Sequence, residues 1–141
     1  MLTQFYFQKT THLPNRLRLK TFLEELSKRE STRFDTLTIV FCSDDYLLEI
    51  NRTHLQHDYF TDIITFDLTP PKKQSKEAEL YISIDRIREN AKTYQSTIQH
   101  ELHRVIFHGV LHLCGYKDKS KTDQANMRIK ENENLSLYFK D

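Results

Sequence analysis

The chain has 141 residues, of which 29% are charged and 38% hydrophobic, with nine Phe, seven Tyr and no Trp, and its formal net charge is +1. That length fits one domain with a core large enough to need no covalent staple. The composition is too aromatic for a disordered chain and too polar for a membrane protein, and the near-neutral charge means that any anionic partner must be met by a local patch.

Leu2 to Phe7 alternates and is rich in aromatics, which predicts a short strand. After Pro14, a residue suited to a helix's first turn, Leu17, Leu19, Phe22, Leu23 and Leu26 recur at helical spacing among Arg and Lys. Phe34 to Cys42 is β-branched and aromatic, a strand buried along much of its length. Ser43-Asp44-Asp45 offers an N-cap for a helix carrying Tyr46, Leu47, Ile50 and Leu55. Thr61 to Leu68 reads as a third strand, residues 70–76 as an exposed connection, and Glu79 to Ile84 as a fourth strand. Asp85 is placed to cap a short helix, and Ser96 or Thr97 to start a longer one reaching Cys114. A final polar helix is expected from about Thr122 towards Tyr138. The order β-α-β-α-β-β-α-α-α mixes a hairpin-like pair with crossovers. It predicts a single α/β domain, α+β-like in character, over residues 1–141, with a small mixed β-sheet of about four strands packed with about five helices.

Other features narrow the function. No apolar run approaches the ~20 residues of a membrane span. The first residues lack the basic flank and cleavage site of a signal peptide. Cys42 and Cys114 cannot form a disulfide framework and read as reduced thiols of a cytoplasmic protein. With only Gly109 and Gly115 as glycines, neither a dinucleotide fingerprint nor a phosphate-binding loop can be written.

The chemistry concentrates in His100–Gly115. At roughly 100° per residue, Ile98, Leu102, Val105, Ile106, Gly109 and Leu113 share one face while Phe107 and Leu111 point the other way. A helix apolar on several sides near its end is buried there. His108 and His112 border the main apolar face one turn apart, where two imidazoles can converge on one cation. Gly115 supplies the left-handed residue that ends a helix, and the chain can turn back to bring Asp118 towards the same cation. Two imidazoles and a carboxylate leave a position for water, the pattern of a catalytic rather than a structural zinc site. The plain alternative for a His pair is a solvated helix face; the apolar border, the helix stop and the nearby acid weigh against it. The H-E-x-x-H of metalloproteases is absent, because Gly109 stands where its Glu base would be. Cys114 faces away from the pair and reads as a small buried hydrophobe. His100 and His103 read as surface residues, and Glu101 as a surface carboxylate, with orientation of a ligand imidazole as its sharper alternative.

These residues resemble a known family. His108-Gly-Val-Leu-His-Leu-Cys-Gly-Tyr, preceded by Arg104-Val105, is similar to the H-G-x-L-H-L-x-G-Y-D-H signature of the YbeY family of bacterial metal-dependent endoribonucleases. Ile50-Asn51 followed by Thr61-Asp62-Ile63-Ile64-Thr65-Phe66 resembles the family's L-N-…-T-D-V-L-S-F segment, and Ala78 to Ser83 its G-D-I-x-I-S strand. The resemblance spans the chain from the second strand to the last helix. It implies a cytoplasmic, single-strand-specific endoribonuclease that matures the 3′ end of 16S ribosomal RNA and takes part in ribosome quality control. Its implied partners are RNA, ribosomal RNA or the small ribosomal subunit, with no membrane and no DNA. Its implied cofactor is one Zn2+ per chain, on His108, His112 and Asp118, which would activate a water to hydrolyse the phosphodiester.

Two positions depart from the family pattern. Its third histidine falls at Asp118 and the preceding aspartate at Lys117. A carboxylate is a legitimate zinc ligand but slightly favours harder metals, so another divalent transition metal stays open. The family's phosphate-facing Arg falls at Leu55, after His54; Arg52, one helical turn earlier, either replaces it or is an ordinary surface residue. Lys117, Lys119 and Lys121 follow the helix stop, and Arg16, Arg18 and Lys20 are placed to track an RNA backbone. A non-catalytic, metal-stabilised ribosome-assembly factor is the rival from another class, favoured by Leu55. A hydrolase of a small substrate is the third reading, which a deep enclosed pocket would favour. No catalytic side chain beyond the metal ligands is named by the sequence, and neither is an oligomeric state.

Overall fold

The structure, a computed structural model, describes residues 1–140. Its elements run β1 (Leu2–Phe7), α1 (Arg16–Arg29), β2 (Phe34–Cys42), α2 (Asp44–Leu55), β3 (Ile63–Asp67), β4 (Lys76–Ser83), α3 (Ile84–Thr93), α4 (Ile98–Leu113) and α5 (Lys121–Tyr138). The order is the one expected. The strands form one sheet in the order β1-β2-β4-β3. β1, β2 and β4 are parallel, since helices carry the chain between them, whereas the short connection after β3 makes it an antiparallel edge strand on β4.

Strand alternation separates the two faces of the sheet. Leu37, Ile39 and Phe41 of β2 with Ala78, Leu80 and Ile82 of β4 point into the main core, shared with α1, α3, α4 and α5. Cys42 and Ile64, with Phe66 and Tyr81 beside them, point the other way, into a smaller cluster with Leu47 and Ile50 of α2. α4 is the central helix. Leu102, Val105, Ile106, Phe107, Val110 and Leu111 are all buried, which is why its apolar residues run round the helix. A Cβ on Gly109 would lie 2.7 Å from Ile63 Cδ1 and 3.0 Å from Leu80 Cδ1, so this glycine lets α4 lie directly on β3 and β4.

Caps set the ends of the helices. Ser43, Thr97 and Ser120 accept hydrogen bonds from the backbone N–H groups of Tyr46, His100 and Asp123, fixing the starts of α2, α4 and α5. Three details correct the sequence reading. β3 is shorter than residues 61–68, and β4 is shifted towards the N-terminus, so that Ile84 opens α3 instead of closing a strand. Ser83, not Asp85, caps α3; the Asp85 carboxylate instead accepts from Lys9 Nζ and, at 2.8 Å, from the backbone N–H of Asp44, tying β1 and α2 to α3. Leu17 is 79% exposed, because the buried face of α1 runs through Leu19, Phe22, Leu23 and Leu26. Among the described residues no helix is long and apolar enough to cross a membrane.

Candidate metal centre

His108 and His112 lie on the last two turns of α4, with their rings nearly parallel (9°) and centroids 6.5 Å apart. The helix ends where Gly115, at φ 109°, lets the Tyr116 N–H turn back to the Leu111 carbonyl at 3.1 Å. That reversal brings Asp118 to His108: its Oδ2 lies 3.3 Å from Nε2 of the ring. Of the three expected ligands, two therefore meet, and the third stands one turn away on the same helix edge. Among the described residues no three His, Cys, Asp or Glu side chains are already closed on one point.

The other ring nitrogens are engaged. His108 Nδ1 donates to Glu131 Oε2 of α5 at 2.7 Å, and His112 Nδ1 donates to the Tyr116 carbonyl at 2.9 Å. Each bond fixes the tautomer and leaves Nε2 as the free ligand atom, the usual support of a metal-bound imidazole. His108 thus has a carboxylate oxygen beside each nitrogen. A neutral ring has one proton for those two contacts, so the Nε2–Asp118 side calls for positive charge, from a second proton or from a cation. The donor set of two imidazole Nε2 atoms and a carboxylate fits a divalent transition metal.

Glu131 is held by more than the ring. It is buried and also accepts from Arg104 Nη1 at 3.0 Å. Arg104 in turn donates to buried Glu101 through Nε at 2.9 Å and Nη2 at 2.5 Å. The chain of charges Glu101–Arg104–Glu131–His108 links two turns of α4 to α5, and each charge in it has a partner. Burial alone pulls the His108 pKa down, but the hydrogen bond and charge of Glu131, with Asp62 and Asp118, outweigh it and hold the pKa above the ordinary histidine value. Burial pushes the Glu131 carboxyl up, and His108 and Arg104 bring it below the usual glutamate value. Asp62, the residue before β3, is raised because it is withdrawn from water, against the pull of Arg104 and His108. An open depression of about 580 Å3 faces the centre, lined by Arg104, His108, Asp118, Lys121, Arg128 and Glu131 among others. It is open rather than enclosed, which disfavours the small-substrate reading.

Several expectations change. His103 is 1% exposed, not a surface residue: its ring stacks on Tyr138 at 5.0 Å and its Nδ1 donates to the Gln99 carbonyl at 2.7 Å. The cause is α5, which covers the side of α4 that looked free. Burial pushes the His103 pKa down. Glu101 is likewise buried, and it reaches His108 only through Arg104 and Glu131. Arg52 is exposed and its guanidinium is engaged by Asp58 at 2.6 Å. Arg16 and Arg18 pack their guanidinium groups on Phe7 and Tyr138 of the protein itself, and Lys20 lies over Phe5. Of the lysines after the helix stop, Lys121 lines the depression. The sequence reading missed Glu131. Its signal was the spacing of Met127, Glu131, Asn134, Leu135 and Tyr138, the buried face of α5.

Comparison with known proteins gives a consistent result. The family model described as "Endoribonuclease YbeY" matches residues 7–138. The Endoribonuclease YbeY of Cytophaga hutchinsonii is 47% identical over 137 residues, covering 96% of this chain and 95% of its own. Those of Phocaeicola vulgatus and Flavobacterium psychrophilum are 44% identical over 116 residues and 49% over 102, covering 82% and 72% of this chain and 83% and 71% of theirs. The solution structure of TM1509 from Thermotoga maritima has the same fold, with a TM-score of 0.64 over 99% of this chain and 89% of that one at 24% identity.

Proposed function

The chain belongs to the YbeY family of endoribonucleases, and from that premise we propose that it hydrolyses phosphodiester bonds of single-stranded ribosomal RNA with a divalent metal held by His108, His112 and Asp118. The observation that carries the metal assignment is the His108 ring, fixed through Nδ1 by Glu131 and facing the Asp118 carboxylate through Nε2. When bound, such a cation supplies an activated water and neutralises charge on the scissile phosphate. The protein's own residues do the rest. Glu131 and the Tyr116 carbonyl take the Nδ1 protons and so aim both Nε2 atoms outward. Lys121 and Arg128 border the depression, where they can meet the RNA backbone. Arg104 is held by two carboxylates and serves the centre's geometry rather than the substrate. Zinc is the metal favoured by the two imidazoles. A cytoplasmic location belongs to the same reading, supported by the free thiols of Cys42 and Cys114.

The test is elemental analysis of the purified protein beside its His112→Ala and Asp118→Ala variants, followed by cleavage of a single-stranded RNA and of its duplex. About one transition metal per chain, lost in both variants, with chelator-sensitive cleavage of the single strand, is expected. Metal retained without Asp118 would remove that residue from the ligand set. Metal bound without cleavage would return the protein to the ribosome-assembly reading.

A further inference from the structure

The connection from α2 to β3 carries three exposed rings in four residues: His57, Tyr59 and Phe60. Tyr59 is 57% and Phe60 48% exposed, although nothing in the fold requires aromatic side chains there. The segment from Gln56 to Thr61 has no aliphatic side chain, so all its large non-polar surface is ring. The rings are arranged. His57 and Tyr59 stack with centroids 5.2 Å apart at 20°, and the Tyr59 hydroxyl lies 3.0 Å from His57 Nδ1. The Arg86 guanidinium lies over the Phe60 ring at 5.4 Å.

The backbone beneath them is pinned by one buried residue. The Asn51 carbonyl accepts the His57 N–H at 3.1 Å, and its side-chain amide donates to the Tyr59 carbonyl at 2.9 Å. Asp58, the one acid between Gln56 and Thr61, is paired with Arg52 at 2.6 Å, which offsets its repulsion of a phosphate chain. The segment runs into β3, whose first residue, Ile63, abuts α4 at Gly109, next to His108. Tyr59 precedes Ile63 by four residues, a reach of at most ~14 Å along the chain. The rings are therefore tethered within that reach of the point where β3 meets α4 beside His108, a span that a few nucleotides can cover.

We infer that His57, Tyr59 and Phe60 form a stacking platform for the bases of a single RNA strand entering the metal centre. The inference rests on the endoribonuclease reading above and adds a binding site to it. Proteins hold single strands by pairing a cationic path for the backbone with aromatic faces for the bases. Here Lys121 and Arg128 border the depression at the metal centre, and the rings sit on the connection from α2 to β3, whose first residue packs on α4 beside His108. A base-paired strand cannot offer its faces to the rings, so the platform favours unpaired RNA.

The experiment uses the full-length protein and a fluorescein-labelled single-stranded RNA, with the same sequence as a duplex for control. Binding is read by anisotropy with chelator present to keep the RNA intact, and KM and kcat are measured separately on the metal-loaded enzyme. The Tyr59→Ala, Phe60→Ala double variant is expected to weaken single-strand binding by about 5- to 150-fold per base unstacked and to raise KM with little change in kcat. Duplex affinity should stay the same, and the Tyr59→Phe, Phe60→Tyr double variant should bind as the wild type does. Unchanged single-strand affinity and KM in the alanine variant would overturn the platform and assign the rings to a protein partner. An equal loss for duplex, or no rescue by the aromatic swap, would overturn it too. If the wild type neither binds nor cleaves single strands, the endoribonuclease reading fails as well; if it cleaves them and the alanine variant binds and cleaves as the wild type does, the platform alone fails.

Discussion

Replacing Glu131 by Gln removes one buried negative charge with almost no change of shape. Glu131 accepts from His108 at 2.7 Å and from Arg104 at 3.0 Å, and Arg128 lies 3.4 Å away. A glutamine carbonyl can accept from one of the first two, and its NH2 then confronts the other donor. Orphaning a buried charge costs about 3–5 kcal/mol, but Arg104 keeps its two bonds to Glu101. The loss is then that of a charge-assisted hydrogen bond, about 1.5–3 kcal/mol in the stability of the metal-free protein. Metal affinity should fall about 10- to 100-fold, because the His108 ring loses the partner that fixes its tautomer. Competition with a chromogenic chelator reads the affinity, and urea unfolding of the metal-free protein reads the stability. Glu101→Gln is the matched control, since Glu101 touches Arg104 but not the ring. It should lower stability and spare metal binding. If Glu131→Gln lost stability while its metal affinity stayed within about threefold of wild type, Glu131 would be a support of the fold and not of the imidazole.

Gly109→Ala should destabilise the protein by up to about 2 kcal/mol in urea unfolding, the ~1–3 kcal/mol of overpacking against Ile63 and Leu80 less the ~1 kcal/mol that alanine gains in a helix. Adding Ile63→Val, which removes the carbon 2.7 Å away, should cost less in that variant than alone; strict additivity would show that the contact is not the cause. Asp85→Asn should lower stability at neutral pH by about 0.5–1 kcal/mol, the scale of a half-exposed ion pair. Lys9 and the Asp44 N–H hold the folded carboxyl below its ordinary value, so its contribution is present above the unfolded pKa of about 3.9 and lost as the pH falls through the folded one. Wild type and variant should therefore converge only in acid; a gap that persists there would place the effect in packing rather than charge.

Elements were legible wherever periodicity and caps agreed, as at Ser43, Thr97 and Ser120. β3 and β4 were read a little off because Thr61, Leu68 and Ile84 carry strand-like side chains outside the ladder. The His108–Asp118 contact was readable because it is local: a helix stop followed by a short return. What the sequence hid were consequences of α5 lying on α4. A helix with so polar a composition looks solvated, yet its Met127, Glu131 and Tyr138 stripe buries His103 and supplies the partner of His108. Charged residues on that stripe read as solvent-facing until the element opposite them is known. Arg16 and Arg18 misled in the same way, since nothing in α1 announces the Phe7 and Tyr138 rings that they cover.

Gly109 joins the fold to the chemistry. A helical zinc hydrolase of the H-E-x-x-H type carries its base in the position after the first histidine, and a side chain in that position must face the metal. Here that position is pressed onto Ile63 and Leu80, so α4 has no room for a base and sits instead directly on the strand that brings Asp62 and the ringed connection alongside His108. The acid that α4 cannot carry is supplied from outside it, by Glu131 on α5, which acts on the far nitrogen of the ring rather than on the substrate. The near side is left open, with His108, Asp118, Lys121 and Arg128 around it. A long anionic chain can lie across an open, cation-edged depression, whereas a small substrate would need walls that this one lacks. The glycine that rules out the protease motif is thus part of what makes room for RNA.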